Sequence, residues 1–362
     1  MKRAAVLQIL TLFLITSAGA QSRTDRMTMG LLGEVKSLEM GRVEYSLKEK
    51  KPVAGARVPF QRILFNPEGN KIEESNYQDG VFSSGNVYTY DSAGFRTGYQ
   101  ETYNPLGKPP SKPRQHQYLT DGRGNFTEYT VYEADGTIAI RFIYLYNQAG
   151  EKIEEQTFYH TGAFGGKTLH QYDSAGSETE TVYYDRNGAV GWKQNFKYDN
   201  RGRRIELIQY SGEVLRYRIH TSYDDKGRPL AVETIEFNAT PGVYITHSPV
   251  PGKVIYVYDD EKMTKEVSSY NAAGVLTGRI IYTYDEKGGE IGRRELDADG
   301  ASKYQEISWY QNHQLVRRSR GDALTRIDYD AHGNWINKTY FLTQQSGEPE
   351  AYRTEYRTIV YY

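Results

Sequence analysis

The chain of 362 residues contains no cysteine, which removes both a disulfide framework and any thiolate metal site. Proline is scarce, at 12 residues, so long stretches are free to donate every backbone N–H to a strand ladder. An excess of charge of one sign is also missing, since 45 Lys and Arg face 46 Asp and Glu. Without a basic block, the electrostatic footprint of a nucleic-acid binder is absent. Long hydrophobic runs are confined to the N-terminus. Tyrosine is what the chain has instead, with 33 copies against 12 Phe and 3 Trp, so its interior is to be built from rings with a polar tip.

Residues 1–20 have the three-part layout of a secretory leader: Lys2 and Arg3, an apolar run from Ala4 to Ile15, then Ala18-Gly19-Ala20 before Gln21. The run is shorter than the ~20 residues that span a bilayer, and no cysteine is present to take a lipid. The expectation is an exported protein in the periplasm, at the cell surface or outside the cell, with no transmembrane anchor after cleavage.

From there on one short pattern recurs: tyrosine, then Asp or Asn, then Gly three residues later. Its clearest copies are Tyr172-Asp173 with Gly176, Tyr184-Asp185 with Gly188, Tyr198-Asp199 with Gly202, Tyr223-Asp224 with Gly227, Tyr284-Asp285 with Gly288, and Tyr329-Asp330 with Gly333. The interval is 12 residues from Tyr172 to Tyr184 and 14 from Tyr184 to Tyr198, so two units make 26. That is too short for a helix plus a strand, and the intervening residues mix β-branched and aromatic types with polar ones. An Asp or Asn side chain accepts hydrogen bonds from the backbone ahead of it, and Gly tolerates positive φ, so each motif is assigned to a hairpin turn. Strand, tight turn, strand gives an all-β antiparallel meander of about twenty short strands. Consecutive turns fall on opposite edges, and tyrosines that end alternate strands can form a ladder. At ~4.8 Å per strand the sheet would be roughly 100 Å wide if open, so a curved or spiralled wall is expected.

The domain division that follows is a leader (1–20), N-terminal capping strands (21–64), the hairpin array (65–335) and a C-terminal capping strand region (336–362). Two proline-bearing interruptions, residues 106–114 and 238–252, are assigned to longer surface loops. The motif resembles the tyrosine-aspartate repeats of the RHS family, most closely in Tyr329-Asp330-Ala331-His332-Gly333-Asn334-Trp335, with near matches at Tyr198 to Arg203 and Tyr223 to Arg228. The resemblance runs from about Phe65 to Trp335. It implies a curved β-sheet scaffold that contacts carbohydrate or protein at the bacterial surface, here without an effector domain.

No reaction is nominated. The histidines, His116, His160, His170, His220, His247, His313 and His332, are scattered, with no HExxH pattern. Asp297 and Asp299 before Gly300 supply too few oxygens for calcium and are assigned to a turn. No Gly-x-Ser-x-Gly elbow is present. The expectation is a structural or binding scaffold, without enzyme activity, metal or cofactor, whose partner is a protein or a cell-envelope component. The alternative is a carbohydrate-binding module, with a glycan-directed hydrolase behind it. Trp192, Trp309 and Trp335 are the candidate contact residues in either case.

Overall fold

The computed structural model describes residues 24–48, 51–104, 111–237, 250–311, 314–320, 323–342 and 349–362. The leader and most of the two proline-bearing segments lie outside them. One short helix, α1 (Asp25–Thr28), precedes twenty-four strands that run from β1 (Val35–Lys48) to β24 (Glu350–Tyr361). Each strand pairs antiparallel with the next in sequence, as in the Tyr129↔Phe142 and Tyr282↔Arg293 registers. β24 then pairs with β1 itself, through Leu38↔Ile359, Gly41↔Tyr356 and Glu44↔Arg353.

That last ladder overturns the open, spiralled meander and the RHS assignment made with it. The sheet has no free edge: it is a single closed antiparallel barrel of twenty-four strands. Closure removes the rows of unpaired N–H and C=O groups that an open repeat sheet must cap. At ~4.8 Å per strand the wall measures about 115 Å across its strands, a ring on the order of 40–50 Å wide once the strands tilt. Side chains cannot fill such a ring, and the wall is one strand thick, because each strand has sustained contact only with its lateral neighbours, save where β2 (Lys51–Phe65) reaches β24 around β1.

The exclusion of a membrane anchor falls with the open sheet. It rested on helices, and no helix among the described residues is long and apolar enough to cross a membrane. A closed antiparallel barrel is the other architecture that satisfies its backbone without water, so strands are available for embedding and the exclusion does not hold.

The apolar core sits at the seam. Leu31, Val35, Leu38, Ile63 and Phe65 form the one buried hydrophobic cluster among the described residues, with Met29, Met40, Ile359 and Tyr361 packed on it. At the same place Gly41 lets Tyr356 cross the strand, since a Cβ there would run into the Tyr356 hydroxyl and the Val58 carbonyl.

The repeat motif builds the turns by one set of bonds. In Asp199–Arg203 the Asp199 N–H donates to the Arg203 carbonyl (3.0 Å), the Gly202 N–H returns to the Asp199 carbonyl (3.0 Å), and Asp199 Oδ1 accepts from Arg201 N and Arg203 N. Gly202 has φ +73°, a value that glycine adopts without steric cost. The same bonds recur at Asp173, Asp185 and Asp330. Asp297 caps its own turn by accepting from Ala301 N at 2.8 Å.

The motif tyrosines of one rim do not stack on each other. Most of them send their hydroxyl across to the carbonyl that follows the preceding turn on that rim. Tyr146 donates to Phe126, Tyr172 to Lys152, Tyr198 to Glu178, Tyr223 to Arg204 and Tyr310 to Glu290, at 2.7–3.0 Å. Tyr362 makes a different bond at the seam, reaching past β1 to the Phe65 carbonyl at the end of β2. From Tyr146 through Tyr172 to Tyr198 the 26-residue double unit is therefore the repeat of a clasp that tethers one hairpin to the one before.

Candidate functional site

The two faces of the wall differ. Side chains on one are crowded together, as expected of the concave side of a ring, while the other projects half-exposed Val87, Leu119 and Leu145. The open face is mixed: next to Leu145 on β8 (Ile138–Tyr146) come Ile143 and Arg141, which lie opposite Glu128 and Thr130 of β7 (Phe126–Tyr132).

The crowded face carries an aromatic ribbon across five consecutive strands: β4 (Val81–Tyr90), β5 (Arg96–Tyr103), β6 (Arg114–Thr120), β7 and β8. Register sets it, because Tyr88 lies opposite Tyr99, Tyr99 opposite His116, Tyr118 opposite Tyr129, and Tyr129 opposite Phe142. Centroids are 4.0 Å apart for Tyr99–His116, 4.8 Å for Tyr118–Tyr129 and 5.8 Å for Tyr129–Phe142, with interplanar angles of 10–12°. The rings stand like books on a shelf. Their flat faces are used up by one another, which leaves edges and hydroxyls for anything that approaches, whereas stacking on a sugar needs a free ring face. Burial, then the neighbouring Tyr99 charge, pushes the Tyr118 hydroxyl up to about 12, and burial also raises Tyr129 and Tyr144. These groups remain protonated donors at physiological pH.

His116 is the one ring within the ribbon whose ordinary pKa lies near neutral pH. It is 7% exposed, its Nδ1 lies 2.7 Å from Tyr129 Oη, and its Nε2 lies 3.5 Å from the Glu101 carboxylate. Burial lowers its pKa against the opposing pull of Glu101. The unfolded chain then holds this proton more tightly than the folded one, so stability is lost as pH falls below the ordinary histidine value of ~6.5. Replacing His116 with Phe keeps a stacking ring and removes the titration. The wild-type melting temperature should fall between pH 7.5 and 5 more steeply than that of the variant; parallel curves would show that His116 does not contribute.

The three tryptophans do not converge. Trp192 on β12 (Val190–Tyr198) stacks on Tyr183 at 6.0 Å. Trp309 on β20 (Ser302–Gln311) is 38% exposed, with the Arg317 guanidinium 4.7 Å above its ring. Trp335 on β23 (Trp335–Leu342) lies under two cations, Lys338 at 4.1 Å and Arg357 at 3.8 Å. The motif residues Tyr172, Asp173, Gly176, Tyr198, Asp199, Gly202, Tyr223, Asp224, Gly227, Tyr284, Asp285, Gly288, Tyr329, Asp330 and Gly333 lie along one rim, and Tyr184, Asp185 and Gly188 lie on the other.

Among the described residues no three His, Asp or Glu side chains are grouped so as to hold a metal. Recesses are shallow. One of about 600 Å³ lies on the open face between Glu233, Ile235, Lys253, Ile255 and Tyr270, with Glu233 directly opposite Lys253. The one tight acid and histidine contact, His170 Nδ1 to Glu178 Oε1 at 2.5 Å, is part of the wall's packing. Burial raises the Glu178 pKa, but the bonds from His170 and Thr181 outweigh it and hold the carboxyl low.

The ribbon was not among the candidates read from the sequence. Only its first ring left a signal, a second tyrosine two residues before the motif tyrosine in Tyr88 before Tyr90.

No protein-family model matches the chain, and no curated protein sequence does. Solved structures align over most of it at low likeness. The "TcdB2-TccC3-Cdc42" crystal structure is 10% identical over 86% of this chain, with TM-score 0.29, and this chain spans only 21% of that one. A porin-like protein from Bacteroides uniformis is 12% identical over 90% of this chain and 98% of its own, with TM-score 0.27. A second porin-like protein, from Bacteroides vulgatus, is 13% identical over 57% of this chain and 93% of its own, with TM-score 0.20. At such scores the architecture rests on the strand pairings, above all that of β24 with β1.

Proposed function

We propose that the chain is an exported, envelope-associated bacterial β-barrel that acts as a non-enzymatic structural and binding scaffold for a protein or an envelope component. The observation that carries this reading is the way the polar residues are spent. Motif aspartates cap turns, motif tyrosines clasp the rim and the ribbon's ring faces cover each other, so the residues most suggestive of chemistry are committed to holding a wide, rigid wall. Such a wall presents fixed side chains at regular spacing, which lowers the ordering cost of contact with an extended partner.

The carbohydrate reading is narrowed to Trp309. It is exposed beside half-exposed Ile307 on β20 and carries a guanidinium over one ring face, a combination suited to a sugar's apolar patch and hydroxyls.

The test expresses the full chain in a bacterium and follows it by fractionation. The protein should reach the envelope, and a version lacking residues 1–20 should stay in the cytoplasm. Release by salt, by carbonate or only by detergent separates peripheral contact from embedding through strands. Recovery of the full chain in the cytoplasm would overturn the reading. Saturable binding of a purified envelope glycan, lost in Trp309→Ala, would move the assignment to the carbohydrate alternative.

A further inference from the structure

Two cations on the crowded face near the seam, Lys338 and Arg357, stand over one indole without a close ion pair among the described residues. Arg357 on β24 lies opposite Met40 of β1, which packs on the apolar seam cluster. Lys338 lies opposite Glu355. Both are half-buried and both are held over Trp335, an arrangement that fixes cations without neutralising them. Neighbouring carboxylates make their close contacts with other groups, although the Glu355 charge still acts on Lys338. Glu306 pairs with Arg318 at 3.2 Å, Glu44 with Arg353 at 2.9 Å, and Glu355 accepts from Tyr340 Oη at 3.0 Å. Arg357 Nε is buried and has no hydrogen-bond acceptor among the described residues. Burial pulls the Arg357 pKa down to about 10; burial and then the Arg357 charge lower that of Lys338 against the opposing pull of Glu355. A half-buried guanidinium with a buried, unfilled donor next to an apolar cluster calls for a partner.

We propose that Trp335, Lys338 and Arg357 form an oxyanion-binding site that takes one carboxylate or phosphate group of a ligand lying on the crowded face. The guanidinium offers a planar fork of donors that matches either group, Lys338 adds a point charge, and the indole positions both. This goes beyond the scaffold reading: the site is testable whether or not the barrel contacts the envelope. A carboxylate would come from an acidic sugar, a phosphate from a phosphorylated glycan or lipid headgroup.

The test is a tryptophan-fluorescence titration of the folded chain, with inorganic phosphate in one arm and galacturonate in the other. Each replaces chloride at constant ionic strength and pH 7. At least one arm should saturate, and the arm that does so names the source. Arg357→Gln should weaken half-saturation at least tenfold and Lys338→Gln several-fold, while Trp335→Phe should remove most of the signal. The bound anion should also raise the wild-type melting temperature. Arg357→Gln sheds a half-buried charge and its unfilled donor, so in chloride it should melt no lower than wild type and should not respond to the anion. If that variant does not fold, Lys338→Gln decides. A change of less than twofold in either variant that folds, or a signal that follows ionic strength alone, overturns the proposal.

Discussion

Deleting residues 350–362 is expected to open the ring. The truncated chain keeps nearly every repeat but loses β24, which exposes the edge of β23 on one side and that of β1 on the other. Two long unpaired edges are templates for pairing between chains, so the protein should elute as polydisperse assemblies and lose its cooperative melt. Size-exclusion chromatography with light scattering, together with a thermal melt, reads both effects. A truncated chain that elutes and melts like the full one would show that the β1–β24 ladder is not what holds the barrel. The milder form of the same experiment is Leu38→Ala. Leu38 is fully buried at the seam, and its truncation should cost about 2–5 kcal/mol. Leu145→Ala makes the same chemical change on the open face and should cost under about 1 kcal/mol.

The second large effect is expected at Asn334. This side chain is 3% exposed and joins three parts of the fold. Its Oδ1 accepts from Leu32 N, and its Nδ2 donates to the Leu32 carbonyl and to Tyr361 Oη, all at 2.8 Å. Its own N–H closes the Asp330 turn at 2.9 Å, and Tyr361 Oη donates to Asp330 Oδ2. Asn334→Ala leaves both polar groups of Leu32 without their partner, and such orphaned groups are expensive, so the change should cost about 2–4 kcal/mol. The loss should be local first. Amide exchange should accelerate in residues 24–34 and in the last turn while the strands around Phe196 keep their protection, and the denaturation midpoint should fall. A stability within about 0.5 kcal/mol of wild type would show that water replaces all three bonds.

Much of this fold was legible in the sequence because a hairpin is encoded locally. An aspartate with glycine three residues later fixes a turn whatever the rest of the chain does, and the 26-residue spacing of Tyr146, Tyr172 and Tyr198 placed alternate turns on one edge. Closure was not legible. An open spiral and a ring use identical hairpins, and what separates them is a single ladder between segments more than 300 positions apart. Its code is Val35, Leu38 and Met40 facing Ile359 and Tyr361, residues outside the repeat that the sequence alone presents as caps. Among the candidate contact residues, each tryptophan was visible as a type, but its surroundings came from neighbours on other strands: Tyr183 for Trp192, Arg317 for Trp309, Lys338 and Arg357 for Trp335. The aromatic ribbon escaped for the same reason. Tyr99, His116 and Tyr129 share no motif and meet only through register.

The seam also fixes an order of events. Its two halves lie at opposite ends of the strand order, so the ladder that seals the ring cannot begin to form until β24 (Glu350–Tyr361) is available. Until then the growing sheet carries an unsatisfied edge at each end. Joining segments so distant in sequence is entropically slow, and a chain held in that half-finished state is the species most prone to pair with its neighbours. The repeats can assemble one hairpin at a time as they emerge, but completion waits on a single late encounter, so the yield of folded barrel should depend more on β24 than on any unit of the array.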